Sequence, residues 1–235
     1  MNILITSGGT REYIDDVRVM TNISTGKLGA LIADRLAQTG AVIHYVHAEN
    51  SAVPSEFIGI KSYFRKQSAN LYPVKTAKDA FRTIRSVLKR KNIQVVIHAM
   101  AVSDFTFKGI GKLKLKSSDP KAFIEYMRQT ITPNPKIISH IEEWAPDVYL
   151  VGFKFEVGAT PQELTKLARE SMLKNGCDLV ITNDKAEMQR AGSHVARFIF
   201  PKNSEYRNFK VLNKQSIADS IVKVVYKDFP NRTKK

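Results

Sequence analysis

Two glycines and a hydroxyl residue follow the first apolar run of the sequence, residues 2–7, and their types suit the binding of an anion. Gly8 and Gly9 would let backbone amides approach a ligand closely, because no Cβ stands in the way, and clustered amides can hold a phosphate. Thr10 adds a hydroxyl group to this turn. A tight turn at the end of a strand explains the same residues about as well, so the pattern alone gives only a candidate phosphate site.

A second polar segment, residues 22–29, stands before a helical pattern. It contains Asn22 and Gly26, and Ser24 or Thr25 is available to cap the helix that follows. About twenty residues separate the Gly-Gly turn from this helix, whereas the Rossmann dinucleotide motif joins its strand and helix directly. We therefore expect amides from two separate loops to face a ligand at the carboxyl end of a sheet.

The elements that must position these loops alternate between short β-branched runs and longer amphipathic stretches. This alternation predicts an α/β, Rossmann-like three-layer fold with a mostly parallel central sheet. Strands are predicted at residues 2–7, 41–48, 92–99, 147–153 and 177–182, and a C-terminal β-hairpin at 194–200 and 207–212. Helices are predicted at residues 27–39, 77–91, 161–175 and 214–227, within one domain that covers residues 1–235.

Two further segments have a less regular pattern. Pro135 suits the first turn of a helix that includes residues 136–141. Residues 103–134 are irregular, and the lysines and glycines between 107 and 118 fit a mobile segment near a ligand about as well as an ordinary surface loop.

The composition favours phosphorylated ligands. The chain has 37 Lys and Arg against 22 Asp and Glu, a formal charge of +15, which attracts phosphate groups and nucleic acid alike. The basic residues are dispersed, without a zinc-finger or aromatic RNA-binding signature, so a dedicated nucleic-acid function is disfavoured. We find no apolar run long enough for a membrane span and no secretory pattern, and we expect a cytoplasmic protein.

Metal and thiol chemistry find little support in the sequence. Cys177 is the single cysteine, which excludes an intramolecular disulfide and a cysteine-based zinc cluster, and its apolar neighbours favour a buried structural role. The histidines show no metal-ligand spacing, so structural roles are expected for them. They are His44, His47, His98, His140 and His194.

A series of polar and glycine-containing segments is informative because of its order. The segments are residues 7–15 with 17–18, 22–29, 101–105 (Ala-Val-Ser-Asp-Phe), the lysine-bearing 112–118, 134–138 (Asn-Pro-Lys-Ile-Ile), 151–156 (Val-Gly-Phe-Lys-Phe-Glu) and 182–184 (Thr-Asn-Asp). Over residues 3 to about 185 they resemble the signature of the phosphopantothenoylcysteine synthetases, also called phosphopantothenate–cysteine ligases. The chain resembles their stand-alone bacterial form, because no flavin-dependent decarboxylase domain accompanies these segments.

The resemblance implies a ligase of coenzyme A biosynthesis that works in two steps. The carboxylate of 4′-phosphopantothenate attacks the α-phosphorus of a nucleoside triphosphate, which gives an acyl-nucleotide, expected to be an acyl-cytidylate, and pyrophosphate. The amine of L-cysteine then displaces the nucleoside monophosphate. The resemblance implies CTP rather than ATP, Mg²⁺ as cofactor, a homodimer, and a separate phosphopantothenoylcysteine decarboxylase as pathway neighbour.

Catalytic roles follow from the resemblance at four positions. Asn22 matches an asparagine that contacts the acyl-nucleotide, and Arg18 matches a position associated with the cysteine-coupling step. The lysine that engages the triphosphate is matched by Lys112 or, in slightly better register, by Lys114.

Other positions are expected to bind substrate or nucleotide. Asp104 matches an aspartate near the nucleotide and its Mg²⁺, which suits a carboxylate just beyond a strand end. Ala101 and Phe153 would wall the base pocket, although both could be simple core residues. The remaining expected contacts are Gly8, Gly9, Thr10, Ser24, Thr25, Gly26, Lys116 and Lys174.

Each assignment has an ordinary structural alternative. Asn22 could be a helix-start asparagine, and Asp104 a turn residue at a strand end. Arg18 could be a surface arginine in an ion pair with Asp15 or Asp16.

The sequence also departs from the family pattern. Ser171 and Asn175 stand where CTP-dependent relatives carry lysines, and only Lys174 lies beside them. The choice of nucleotide is therefore less firmly implied than the reaction.

Two other classes of protein remain as alternatives. An NAD(P)-dependent oxidoreductase would share the fold, but the chain lacks Gly-x-Gly-x-x-Gly, and neither Tyr13 nor Tyr45 has a lysine four residues on. A basic nucleic-acid-binding module would show an affinity that falls steeply with salt.

Overall fold

The computed structural model describes residues 1–55, 70–108, 118–202 and 204–231. Its strands are β1 (Asn2–Ser7), β2 (Arg11–Tyr13), β3 (Val19–Thr21), β4 (Val42–Ala48), β5 (Asn70–Val74), β6 (Val95–His98), β7 (Phe105–Phe107), β8 (Ile131–Pro133), β9 (Tyr149–Glu156), β10 (Leu179–Asp184), β11 (Val195–Ile199) and β12 (Phe209–Leu212). Its helices are α1 (Lys27–Gln38), α2 (Ala77–Arg90), α3 (Pro120–Thr130), α4 (Ile141–Trp144), α5 (Pro161–Asn175), α6 (Lys185–Ala191) and α7 (Lys214–Asp228), with 3-10 turns at Ile137–His140 and Phe229–Asn231.

An eight-stranded sheet in the order β12-β11-β10-β9-β6-β1-β4-β5 forms the centre of the fold. The strands from β5 to β10 in that order are parallel, and β11 and β12 pair antiparallel at one edge. The chain proceeds outward from β1 through β4 to β5 and then returns to add β6 on the other side of β1. This is the doubly wound, Rossmann-like arrangement with a C-terminal hairpin that the sequence predicts.

Helices cover both faces of the sheet. Ile3 and Ile5 of β1 pack in a core with residues of α1 and α7, whereas Leu4 between them packs in a second core with residues of α2, α4 and α5. Successive side chains of a strand point to opposite faces, so a central strand of a three-layer fold must be apolar at nearly every position. This requirement explains the continuous apolar runs in the sequence, and the predicted three layers are confirmed.

The predicted helices form for local reasons at their ends. Thr76 and Thr160 cap α2 and α5, and each belongs to a reciprocal capping box with an acidic residue three positions on. The start of α1 differs from the prediction that Ser24 or Thr25 caps it. Its N-cap is Gly26, with φ at 71°, and no side chain caps it. Gly26 instead accepts a hydrogen bond from the Ser7 hydroxyl through its carbonyl, which ties the helix start to the end of β1.

Several short elements are absent from the sequence-based prediction. They are the hairpin β2–β3, the edge strand β5, the pair β7–β8, and the helices α3 and α6. The prediction of an irregular segment over residues 103–134 is therefore wrong for its described part, which contains β7, α3 and β8. The structured segment after Pro135 begins as a 3-10 turn at Ile137 and continues as α4, slightly later than predicted. Within the described residues, no helix combines the length and the apolar character required to cross a bilayer.

A buried carboxylate fastens the β2–β3 hairpin to the rest of the fold. Glu12 is 2% exposed, and its Oε1 accepts a hydrogen bond from the Ala77 amide at 2.7 Å. Its Oε2 accepts a hydrogen bond from the Thr106 hydroxyl at 2.6 Å. One side chain thus joins the hairpin to the first turn of α2 and to β7. The negative charge of Glu12 also complements the dipole of α2 at its N-terminus.

Replacement of Glu12 should reveal how much this anchor contributes to stability. Glu12→Ala leaves a buried amide and a hydroxyl without their acceptor, so we expect a loss of about 2 to 4 kcal/mol in the free energy of unfolding. Glu12→Gln is the matched control, since its amide oxygen still accepts one bond, and it should lose roughly half as much. Urea denaturation measures both, and equal stability of Glu12→Ala and the wild type would contradict the anchoring role.

Candidate active site at the carboxyl edge of the sheet

The loops after β1 and β6 meet where the strand order reverses. Gly9 and Ala101 form a parallel bridge between these loops. The Ala101 amide donates a hydrogen bond to the Gly8 carbonyl at 2.8 Å, and the Thr10 amide donates one to the Ala101 carbonyl at 3.2 Å. Four residues that the sequence analysis singled out therefore lie together at the position where open α/β sheets bind ligands.

The two glycines of the first loop are required by the packing of the protein itself. Gly8 has φ at +84°, and a Cβ placed there would lie 2.5 Å from the Ser51 Cβ. A Cβ at Gly9 would lie 2.5 Å from the carbonyl oxygen of Asn22. The glycines thus let residues 22–26 and the loop that contains Ser51 close over the end of β1.

Asn22 bridges the two loops from the exposed side. Its Nδ2 donates hydrogen bonds to the carbonyl oxygens of Val102 at 3.2 Å and Ala101 at 3.4 Å. Beneath it, the Thr10 hydroxyl oxygen accepts a hydrogen bond from the Ser103 amide at 2.9 Å. Asn22 is solvent-exposed, so its amide is held in place while it remains open to a ligand.

A cleft of about 390 Å³ adjoins these loops on the α5 side of the sheet. Its lining includes three of the predicted residues, Asp104, Phe153 and Lys174. Val102 and Ser103 belong both to the lining and to the hydrogen-bond partners of the first loops, so the cleft and the loops form one continuous site.

The charged groups of the cleft come from several elements. Asp104 forms an ion pair with Lys136. The backbone amide of Asn134 donates a hydrogen bond to the Asp104 carbonyl at 2.8 Å, so residues 134–136 are clamped against the end of the β6 loop. Lys174 adds positive charge to the lining and Glu170 adds a negative charge, while Lys154 forms an ion pair with Glu156 at 2.8 Å. Such a cleft favours an anionic ligand.

Ser171 and Asn175, which stand where CTP-dependent relatives carry lysines, are neutral and form hydrogen bonds with each other. Asn175 donates a hydrogen bond from its Nδ2 to the Ser171 hydroxyl oxygen at 3.1 Å and to the Ser171 carbonyl at 3.0 Å. Both residues line the cleft beside Lys174.

The described lining of the cleft contains two carboxylates, Asp104 and Glu170. Within the described ranges, no group of three or more His, Cys, Asp and Glu side chains is arranged to hold a metal. The Asp104 side chain is 58% exposed and faces the cleft. Magnesium commonly binds one or two carboxylates and completes its shell with water and substrate phosphates, so Asp104 fits a magnesium ion that arrives with a polyphosphate.

Arg18 lies away from the cleft lining, at the turn between β2 and β3. Its Nε is 3.1 Å from an oxygen of Asp15, and its guanidinium stands 5.1 Å from the ring centre of Phe123 on α3. The ion pair with Asp15 is the structural alternative that the sequence analysis gave for this residue. Arg18 does not line the cleft of its own chain.

The remaining predicted residues are placed as follows. The Thr25 carbonyl accepts a hydrogen bond from the Ala52 amide at 2.9 Å, and the Ser24 amide donates one to the Asn22 carbonyl at 2.9 Å. Ser24, Thr25 and Gly26 thus form the connection from Asn22 to α1. Lys112, Lys114 and Lys116 lie outside the described residues.

A larger groove, about 700 Å³ in volume, lies between α1, α6 and the start of α7. It is lined by Lys27, Lys185, His194 and Lys214, among others. None of the residues singled out from the sequence for binding or catalysis belongs to this groove. The volume of a cavity alone therefore does not identify the candidate active site.

His98 was given only a structural role by the sequence analysis, but it lines the cleft. It is the last residue of β6, is 8% exposed, and has its Nδ1 2.9 Å from the Thr6 hydroxyl oxygen. Burial lowers the pKa of His98 to about 4. Its position in the sequence, at the end of an apolar run and just before Ala-Val-Ser-Asp-Phe, is the signal that could have drawn attention to it.

The buried neutral His98 should make the protein sensitive to acid. The unfolded chain takes up a proton near pH 6.5, whereas the folded protein resists protonation until about pH 4. The contribution of His98 to stability is thus fully present above pH 6.5 and is lost as the pH drops toward 4, by about 3 kcal/mol in all. His44 and His194, whose pKa values are also lowered by burial, add in the same direction.

Urea denaturation of the wild type and of His98→Gln at pH 7 and pH 4.5 measures how much of the loss of stability in acid is due to His98. The variant should lose less stability between the two pH values than the wild type. An identical pH dependence in both proteins would contradict the prediction.

Comparison with known proteins agrees with this architecture. Residues 1–229 match the family of the DNA/pantothenate metabolism flavoprotein C-terminal domain. The coenzyme A biosynthesis bifunctional protein CoaBC of Thermococcus kodakarensis is 39% identical over 181 residues, which cover 77% of this chain and 40% of that protein. The protein of the same name from Bacillus subtilis is 30% identical over 226 residues, which cover 95% of this chain and 50% of that protein. The chain thus spans half or less of the length of these curated relatives.

A solved structure supports the same relationship. The crystal structure of the DNA/pantothenate metabolism flavoprotein from Streptococcus pneumoniae superposes with a TM-score of 0.77 at 31% identity, and the match covers 97% of this chain and 99% of that one. On the strength of this match and of the family match across nearly all of its length, the chain belongs to the DNA/pantothenate metabolism flavoprotein C-terminal domain family.

Proposed function

We propose that the chain is a phosphopantothenate–cysteine ligase, which joins 4′-phosphopantothenate to L-cysteine during coenzyme A biosynthesis. The observation that carries this proposal is the convergence of the Gly8-Gly9 turn, Asn22 and Asp104 around one cationic cleft at the reversal of strand order. The curated relatives are coenzyme A biosynthesis proteins by name, which supports the same pathway. Their bifunctional character is consistent with a phosphopantothenoylcysteine decarboxylase as the neighbour that consumes the product.

The proposed reaction makes a poor acyl donor reactive. The carboxylate oxygen of phosphopantothenate bonds to the α-phosphorus of the nucleotide, and pyrophosphate leaves. The cysteine amine then bonds to the acyl carbon, loses a proton, and expels the nucleoside monophosphate. Both steps depend on position and charge stabilisation, so amides and cations can promote them without a nucleophilic side chain of the protein.

The chain's own residues have distinct tasks in this scheme. Asn22 would hold the acyl-nucleotide through its side-chain amide, and the amides after β1 would hold phosphate oxygens. Lys174 would contribute positive charge, together with Lys112 or Lys114 from the undescribed segment. Asp104 would hold Mg²⁺, which supplies charge neutralisation for the polyphosphate when it is bound.

CTP is the proposed nucleotide, with ATP as the alternative. The cleft supports this choice only in part, because Ser171 and Asn175 take the place of the two lysines of CTP-dependent relatives. Lys136 and Lys154 offer positive charge from other elements of the same cleft.

A homodimer is the proposed assembly, and an exposed apolar face supports it. The β2–β3 hairpin, β7, α3 and β8 carry large hydrophobic residues that are open to solvent: Tyr13, Val17, Val19, Phe105, Ile124 and Ile131. These residues lie on elements that contact one another, β2 with β7 and β7 with β8 and α3, and exposed apolar side chains on neighbouring elements are typical of protein interfaces. Arg18 lies at the turn of this hairpin, so a second copy seated here would bring Arg18 of one chain toward the site of the other.

Ile124→Glu should weaken the proposed dimer. Ile124 is 64% exposed on α3, so the change places a charge in the interface without disturbing a core, and we expect the dissociation constant to rise at least about tenfold. Leu173→Glu on α5 is the matched control, because Leu173 is 91% exposed and lies outside this face. Sedimentation velocity distinguishes the variants, and a wild type that remains monomeric at micromolar concentration would contradict the proposal.

The ligase reaction is tested with purified protein, phosphopantothenate, L-cysteine and Mg²⁺, with CTP and ATP supplied in separate reactions. We expect pyrophosphate release and a product with the mass of phosphopantothenoylcysteine, faster with CTP, and lost when Mg²⁺ is chelated. Absence of that product with either nucleotide would overturn the proposed function.

Asn22→Asp should abolish most turnover in this assay. The carboxylate loses the hydrogen bonds to the Ala101 and Val102 carbonyls that hold residue 22 in place, and it brings negative charge close to the phosphates. We therefore expect a loss of at least about 100-fold in kcat/KM and a loss of about 1 to 2 kcal/mol in the free energy of unfolding. Asn213→Asp provides a control with the same charge change at the N-cap of α7, where aspartate caps as well as asparagine. Full activity of Asn22→Asp would remove Asn22 from the mechanism.

A further inference from the structure

His98 is a buried polar side chain that opens onto the proposed nucleotide cleft, and the scheme above gives it no task. It ends β6 directly beside Thr6 of β1, its register partner across the point where strand order reverses. It lines the same cleft as Asp104 and Lys174 although it is 8% exposed. Any role of His98 toward a nucleotide rests on the proposed ligase function.

The hydrogen bonds around Thr6 determine which ring nitrogen carries the proton. The Thr6 hydroxyl oxygen accepts a hydrogen bond from the Met100 amide at 3.3 Å and lies 2.9 Å from His98 Nδ1. A hydroxyl has one hydrogen to donate, and Thr6 is fully buried. If Nδ1 carried the proton, the hydroxyl would accept twice and its hydrogen would find no acceptor among the described hydrogen bonds of Thr6, which is unfavourable. The hydroxyl therefore donates to Nδ1, and Nε2 carries the proton.

The ring is also uncharged at neutral pH, because burial holds the pKa of His98 at about 4. A neutral ring with an occupied Nδ1 has one remaining polar function, the Nε2–H group. That group can donate a hydrogen bond and cannot accept one. The strand end and Thr6 fix its orientation before any ligand arrives, which lowers the entropy cost of the contact.

We propose that His98 is a nucleotide-binding residue whose Nε2–H donates a hydrogen bond to a phosphate oxygen of the nucleoside triphosphate. The proposed acceptor is a phosphate oxygen because the described lining of the cleft has three lysines, Lys136, Lys154 and Lys174, against the carboxylates of Asp104 and Glu170, which leaves a net positive charge. The phosphate-binding turn after β1 lies on the neighbouring strand. A neutral donor at this depth supplies a directional bond and avoids the desolvation that a buried lysine would suffer.

Two substitutions separate the binding role from a structural role. The amide of asparagine reaches about as far as Nδ1, so His98→Asn can keep the Thr6 contact but loses the donor in the cleft. The amide of glutamine reaches about as far as Nε2, so His98→Gln keeps the donor and loses the Thr6 contact. A phosphate contact predicts that His98→Asn is the more damaging change, whereas a structural role predicts the reverse.

Calorimetry with CTP and with inorganic tripolyphosphate, each with Mg²⁺, measures the effect. We expect His98→Asn to raise both dissociation constants about five- to tenfold, and His98→Gln to stay within about threefold of the wild type. Equal effects, the reverse order, or a loss confined to CTP would overturn the phosphate contact. If the wild type turns over CTP normally and the two variants bind alike, only the proposed phosphate contact of His98 is overturned. Wild-type protein that binds neither ligand overturns the proposed function as well.

A measurement on the wild type avoids the possibility that a variant fails to fold. Nitrogen-15 NMR of histidine-labelled protein reports the tautomer of His98, whose two ring-nitrogen signals are identified by their loss in the Asn and Gln variants. We expect a neutral ring protonated at Nε2 at pH 7, with a shift of that resonance when tripolyphosphate binds. A proton on Nδ1, or an Nε2 resonance that tripolyphosphate leaves unchanged, would contradict the proposal.

Discussion

The close approach of the loops after β1 and β6 is the constraint on which the site depends. Both loops leave neighbouring parallel strands, and their backbone groups bond to one another through Gly8, Thr10 and Ala101. The missing side chain at Gly9 leaves room for the carbonyl of Asn22, which would otherwise collide with a Cβ. The segment that contains Asn22 therefore packs over the same point. The polar groups of three loops thus lie around one site, which no single loop could form.

The charge of the cleft is assembled from separate parts of the fold. Lys136 comes from the segment before α4, Lys154 from β9 and Lys174 from α5. Each lies on an element fixed by its own packing, so their arrangement is set by the layers of the fold and not by a local sequence motif. In the last turn of α5, Ser171 and Asn175 bond to each other, and Lys174 is the residue that brings positive charge to the cleft.

Features with a local cause could be predicted from the sequence, and features with a tertiary cause could not. The alternation of Ile3, Leu4 and Ile5 between two cores appears in the sequence as a continuous apolar strand. The strands β2, β3, β7 and β8 are three residues long and exist because of the partners they pair with, and α3 contains no buried residue. Propensity is too weak to identify such elements.

The candidate site divides in the same way. The Gly-Gly turn and Asp104 follow apolar strands, so the rule that ligands bind at strand ends was enough to place them at one edge. Arg18 could not be placed, because its position depends on an anchor formed by Glu12 with residues far along the chain. His98 resembled a core residue, since its exposure to the cleft follows only from the three-dimensional path of β6 and its neighbours.

The ion pair between Lys136 and Asp104 gives the cleft an internal counter-ion. A divalent cation bound to this carboxylate would compete with the Lys136 ammonium group for the same negative charge. The displaced lysine stays tethered at the rim, where it is free to neutralise an incoming anion. A cation at Asp104 and an anion beside Lys136 would therefore each favour the binding of the other.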